Sequence, residues 1–119
     1  MKLLLTGASG FLGKNFLELA PKDIEIIGIY NRSKRILDFV KQKNLNNVKL
    51  YKCDLTDNNQ VKDLFKRIGK EFDYCLYLAA NVDVPLSIQD PIQDFKITTM
   101  GLINFLQSCR KIKRFVYMS

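Results

Sequence analysis

An α/β fold built on a doubly wound parallel sheet of five strands is predicted by three observations. Strand-like and helix-like segments alternate along the chain. The apolar runs are short, as strands covered on both faces are, and the first of them breaks into glycines at positions 7, 10 and 13. At 119 residues the chain is one domain with room for a real core.

The elements follow in order. Lys2–Leu5 reads as a strand, and a helix from about Gly10 to Ala20 carries Phe16, Leu17 and Leu19. Pro21-Lys22-Asp23 is a turn into a second strand, Ile24–Tyr30. Ser33 is placed to cap a helix carrying Ile36, Leu37, Phe39 and Val40, which Asn44 to Asn47 break before a third strand, Val48–Cys53. Asp57 is a good N-cap with Gln60 three residues on, a variant of the capping box. Val61, Leu64, Phe65 and Ile68 then fall at i, i+3, i+4 and i+7, and Gly69 ends the helix.

Phe72–Leu78 is the fourth strand. Asp90 as N-cap, Pro91 and Gln93 open another helix, whose apolar stripe runs through Phe95, Leu102, Ile103 and Leu106; Arg114–Met118 is the fifth strand. A glycine-rich first turn and right-handed crossovers give the strand order 3-2-1-4-5, with ligands expected beyond the carboxyl ends of the strands.

Composition narrows the function. Cys53, Cys75 and Cys109 have no metal-like spacing and the chain has no histidine, so no metal site is expected and the cysteines read as small core residues. No apolar run approaches the length of a membrane helix or a secretory leader, which predicts a cytoplasmic protein without membrane contact. The net charge of +7 draws on two clusters, Arg32/Lys34/Arg35 and Arg110/Lys111/Lys113/Arg114. The second suits a helix C-terminus facing water, and no nucleic-acid partner is expected.

Strand, glycine turn and helix together make a phosphate cradle, in which backbone passes close to a diphosphate and the first helical N–H groups aim at it. A dinucleotide is the expected ligand. An NAD site usually ends its second strand on an acid that accepts the ribose hydroxyls. Here Gly28-Ile29-Tyr30-Asn31-Arg32-Ser33 has none before Asp38, and Arg32, Lys34 and Arg35 suit a 2′-phosphate instead. The expectation tilts to NADP over NAD.

The spacing G-x-x-G-x-x-G in Thr6-Gly7-Ala8-Ser9-Gly10-Phe11-Leu12-Gly13 resembles the cofactor loop of extended short-chain dehydrogenase/reductases, the sugar-nucleotide epimerases and dehydratases. Asp54-Leu55 matches the place where that family holds the adenine. Leu78-Ala79-Ala80 resembles its HLAA segment, with Tyr77 for the usual histidine. Ser87, Asp90-Pro91 and Phe95 resemble the lead-in to its fourth helix, Gly101 and Asn104 fit NVxGTxNLL, and Lys113–Tyr117 looks like its fifth strand. Thr98 and Leu102 depart from that signature, standing for asparagine and threonine. The basic stretch after strand two is similar to the Arg-Arg-Ser of GDP-mannose dehydratases, which use NADP.

The resemblance implies a Rossmann-type domain whose cofactor contacts come from Gly7, Ser9, Gly10, Phe11, Leu12, Gly13, Asn31, Arg32, Asp54, Leu55, Leu78, Ala79 and Ala80. It implies hydride transfer between a nucleotide sugar and NAD(P), with a catalytic tyrosine and a lysine four residues later. Tyr30 and Lys34 have that spacing but sit at the adenosine end, so no residue of the chain is assigned a catalytic role. The chain is expected to be the cofactor-binding part of a longer enzyme, cut before the tyrosine and lysine. The alternative is a non-catalytic redox sensor of the same fold. An uncovered strand five, or the helix spanning Phe95–Gln107, is expected to make it a homo-oligomer.

Overall fold

The structure, a computed structural model, describes residues 1–79 and 88–118. One parallel sheet runs in the order β3-β2-β1-β4-β5, as the alternating pattern predicts. β1 (Lys2–Thr6) lies at its centre, between β2 (Glu25–Tyr30) and β4 (Glu71–Tyr77). The edges are β3 (Val48–Lys52) and β5 (Lys111–Tyr117).

The period-2 alternation of the strands divides the core in two. Leu4, Ile27, Ile29, Cys75 and Tyr77 face α3 (Asn58–Ile68) and α5 (Gly101–Ser108). Leu3, Leu5, Ile26 and Tyr30 face α1 (Phe11–Leu19) and α2 (Arg35–Gln42). Leu4 and Leu5 are both fully buried, one on each side of the central strand.

Local chemistry ends each helix where the sequence places it. Ala20 takes the extended backbone that a following proline demands, and α1 stops there. Asn44, at φ 53°, closes α2 in the left-handed conformation. Its N–H reaches the Lys41 carbonyl and that of Leu45 reaches Val40, a Schellman closure with asparagine in the usual glycine place. Gly69, at φ 88° and ψ 176°, ends α3 differently, with its N–H on the Phe65 carbonyl and a backbone that leaves the helix in a conformation glycine favours.

Four expectations need correction. Ser33 does not cap α2: Lys34 enters in helical conformation, and no side chain caps the helix. Gln60 does not reach back to the Asp57 N–H; its carbonyl accepts from Asp54 N at 3.0 Å while its amide donates to the Asp57 carboxylate. Strand β5 begins at Lys111 rather than Arg114, since Lys111 and Lys113 pair with Glu71 and Asp73 across the ladder. Of the three cysteines, Cys53 and Cys75 are buried, but Cys109 is only half-buried at the end of α5.

The largest difference concerns the last helical run. α4 (Pro91–Phe95) passes through a widened turn, Lys96–Met100, into α5, with the Gly101 N–H reaching five residues back to the Lys96 carbonyl. Phe95, Ile103 and Leu106 face outward, and Leu102 only flanks the core. The buried face is instead Gly101, Asn104, Phe105 and Ser108. Small residues bring this helix close to the sheet, where Phe105 packs edge-on against Phe65 and Tyr77.

Candidate functional site

A cavity of about 380 Å³ opens at the carboxyl ends of β1, β2, β3 and β4. Its wall brings together Gly7, Ser9, Asn31, Arg32, Asp54, Leu55 and Ala79 from the predicted set. Gly10, Phe11, Leu12, Gly13 and Leu78 are not on that wall. The Phe11 side chain is 82% exposed beside it, and Leu78 packs on the α1 side of the sheet. Ala80 lies outside the described residues, as does Ser87.

The glycines divide their roles. Gly7 has φ 73°, and a Cβ there would come within 3.0 Å of the Leu78 and Ala79 backbone. A Cβ on Gly13 would overlap the Gly7 carbonyl oxygen and approach that of Ala8 to 2.8 Å. These two glycines let β1 and α1 pass close to each other and to β4. Gly10 differs: it has ordinary extended backbone, and its Cβ would meet only the Gly7 carbonyl oxygen, at 3.4 Å. Its one face is open space.

That space lies at the start of α1. The first helical bond runs from Lys14 N–H to the Gly10 carbonyl, so the N–H groups of Phe11, Leu12 and Gly13 have no acceptor among the described residues. Among the described residues no side chain caps this end, and no acid occupies its first turn. Three amide hydrogens and the positive end of the helix dipole are therefore left for an anion.

The turn after β3 is the second part. Asp54 Oδ1 accepts from the N–H and hydroxyl of Thr56, at 3.0 and 2.7 Å. Asp57 N–H closes the turn on the Asp54 carbonyl. Asp54 Oδ2 and the Leu55 N–H keep no partner among the described residues, and both residues line the cavity. An acceptor and a donor thus stand side by side, the complement of a base edge that offers one of each. Burial, with the Asp54 and Asp57 carboxylates adding to it, pushes the Cys53 thiol up to about 11. At neutral pH this cysteine gives the cavity an uncharged wall and no nucleophile.

Arg32 and Asn31 stand exposed at the end of β2. Among the described residues no carboxylate lies within ion-pair distance of Arg32, Lys34 or Arg35. Tyr30 packs in the core at the same end while Lys34 is exposed, so their spacing does not bring them together as an acid/base pair.

Several residues of the site were not read from the sequence. Thr56 had a signal, since an Asp two residues ahead of a Thr forms such turns. Thr6 is fully buried, and its hydroxyl oxygen accepts from Leu78 N and Ala79 N at 3.0 and 3.1 Å, fastening the glycine turn to the end of β4. Gln93 and Ile97 join the wall from α4 and the widened turn, and only the tertiary fold places them there. Tyr77, which stands for the family's histidine, is fully buried and away from the cavity wall; burial raises its phenol pKa.

Comparison with known proteins agrees with this geometry. The chain is 33% identical over 114 residues to CDP-paratose 2-epimerase of Salmonella typhi, covering 93% of this chain and 33% of that protein. The UDP-Glc/GlcNAc 4-epimerase of Campylobacter jejuni superposes with TM-score 0.72 at 30% identity, over 91% of this chain and 33% of that one. UDP-glucose 4-epimerase of Thermus thermophilus, solved in complex with NAD, gives 0.73 at 26% identity, over 92% and 33%. The chain therefore spans about a third of the length of these relatives. No helix among the described residues is long and apolar enough to cross a membrane. The pattern of GDP-mannose 4,6 dehydratases matches over residues 4–119, and the chain belongs to that family.

Proposed function

We propose that the chain holds a nicotinamide dinucleotide and is the cofactor-binding part of an NAD(P)-dependent epimerase or dehydratase that acts on a nucleotide sugar by hydride transfer. The observation that carries this reading is the pairing of three unpartnered amides, Phe11, Leu12 and Gly13, with the open face of Gly10. A diphosphate fits there because, among the described residues, nothing else satisfies those amides and no side chain caps that end. The adenine fits at the turn after β3, where Leu55 N–H can donate to N1 and the free Asp54 oxygen can accept from the N6 amino group. Ser9 and Ala79 line the path between these points and the end of β4. When bound, the nicotinamide supplies the hydride acceptor; this chain's residues bind and orient it.

Titration calorimetry with NAD⁺ and NADP⁺ tests the assignment. Saturable heat, with the amide NMR signals of residues 7–13 moving, is the expected result. No heat and unmoved signals would defeat it. For the whole protein, mixing the holoenzyme with nucleotide sugars and following reduced nicotinamide would test hydride transfer; no transient reduction with any of them would count against the activity.

The cofactor class is NADP in preference to NAD. The Thermus thermophilus relative was solved with NAD, but β2 of this chain ends without an acid and with Arg32 on the cavity wall. A guanidinium there meets a 2′-phosphate with two parallel hydrogen bonds. Arg32→Ala is expected to weaken NADP⁺ by about tenfold, roughly one charge-assisted bond, and to leave NAD⁺ unchanged. An unaltered ratio of the two affinities would defeat the assignment.

The protein self-associates. The β5 edge carries Lys111, Lys113 and Arg114, which oppose strand pairing. The outward stripe of Ile92, Phe95, Met100, Ile103 and Leu106 favours the α4–α5 face as the contact with a second copy. Light scattering should show a dimer that Ile103→Glu converts to monomer; a monomer at high concentration without the substitution would refute it.

A further inference from the structure

The bonds around the turn after β3 fall into two kinds. Four are local: Gln60 receives the Asp54 N–H, Asp57 closes on the Asp54 carbonyl, and Thr56 gives both its N–H and its hydroxyl to the Asp54 carboxylate. They come from the turn itself or from α3, so they shape the turn and travel with it. Two are not local, and one of these, from the Cys53 N–H to the Tyr30 carbonyl at 2.9 Å, only continues the β2–β3 ladder ahead of the turn. Asn104 on α5, only 6% exposed, donates from Nδ2 to the Leu55 carbonyl at 2.9 Å across 49 positions of sequence.

Asn104 is also part of the helical run that supplies the opposite wall. Gln93 and Ile97 reach the cavity from α4 and the widened turn, and α5 continues from them. One turn before Asn104, Gly101 lets the helix lie close to Leu55, since a Cβ there would stand 3.4 Å from the Leu55 Cβ. The Asn104 bond thus ties the Asp54–Thr56 wall to the Gln93/Ile97 wall.

We propose that Asn104 is a positioning residue that sets the width and register of the base slot, and so the preference for adenine over other purines. This rests on the dinucleotide reading above. The Asp54 carboxylate and Leu55 N–H recognise a base only if both stand at the right distance from it. Asn104 holds Leu55 there without touching the ligand. Removing the donor leaves a buried carbonyl unpaired, and the turn is then free to shift on its local bonds.

The test uses NAD⁺ and nicotinamide hypoxanthine dinucleotide, whose base reverses both groups, with a keto oxygen for the amino group and a protonated N1. Dissociation constants for the two are measured on the chain, on Asn104→Ala, and on Asn104→Leu, which keeps the branched shape without the donor and guards against a variant that fails to fold. The unaltered chain is expected to favour NAD⁺, and both variants to lower that preference by about tenfold, the scale of one buried hydrogen bond. A merely structural asparagine would weaken both ligands alike, so a retained preference in a folded variant overturns the proposal and leaves the dinucleotide reading standing. Equal binding of the two ligands by the unaltered chain also overturns it. Binding of neither ligand overturns the proposal, and if NADP⁺ also fails to bind it brings down the dinucleotide reading as well.

Discussion

Gly13→Ala is expected to cost about 3 kcal/mol of folding stability, at the upper end for an overpacked site, read as a lowered urea midpoint with an unchanged slope. The added methyl would overlap the Gly7 carbonyl oxygen and come within 2.8 and 2.9 Å of the Ala8 oxygen and carbonyl carbon. All of these are backbone atoms, so no rotamer change relieves the clash. Relief requires α1 to move off the end of β1. That movement would disturb Leu17 of the same helix and Ala8 in the turn before it, both fully buried. Loss of stability below about 1 kcal/mol would mean that the helix and strand do not approach as closely as described.

Gly10→Ala is expected to do the reverse, removing dinucleotide binding and sparing the fold. Its backbone, φ −75° and ψ 172°, is open to alanine, and the nearest atom to the new methyl is 3.4 Å away. Stability should stay within about 1 kcal/mol, a weaker N-cap being offset by a less flexible unfolded chain. The methyl would instead stand on the N-cap of α1, beside the Phe11, Leu12 and Gly13 amides that we propose hold the diphosphate. A loss of about 100-fold in affinity, near 2.7 kcal/mol, is the expected reading in calorimetry. Unchanged affinity would place the diphosphate elsewhere. Two glycines three positions apart thus separate folding from binding, and comparing the variants shows which is which.

Much of this was legible because its causes are local. Asp57 and Gly69 bracket α3 by cap chemistry, and the buried face Val61, Leu64, Phe65 and Ile68 is the one its spacing gives. Pro21 and Asn44 end their helices through backbone geometry that depends on few neighbours. The inner face of α5 was not legible. That face is Gly101, Asn104, Phe105 and Ser108, three of them residues that no apolar pattern marks as buried. Phe95, Ile103 and Leu106 of the expected stripe point outward, and Leu102 only flanks the core. Tight packing against a sheet rewards small side chains, and only the neighbouring strand reveals that.

The site divides in the same way. The glycine turn and Asp54-Leu55 are contiguous segments, and both stand at the predicted strand ends. Gln93, Ile97 and the Asn104 bond to Leu55 link segments far apart in sequence. Ser33 shows the opposite error, a good capping residue whose place Lys34 takes by entering the helix directly.

The Thr6 hydroxyl has a temporal consequence. It accepts from residues 72 and 73 positions downstream, so it stays unengaged until the chain has been made past Ala79. At ribosomal speeds of roughly 5–20 residues per second that is a wait of about 4–14 s. During it β1 can pair with β2 but not with β4, its other neighbour. The nascent glycine turn therefore waits on the fourth strand for one of its anchors, and a pause in translation between these segments would lengthen the period in which it is exposed to proteolysis.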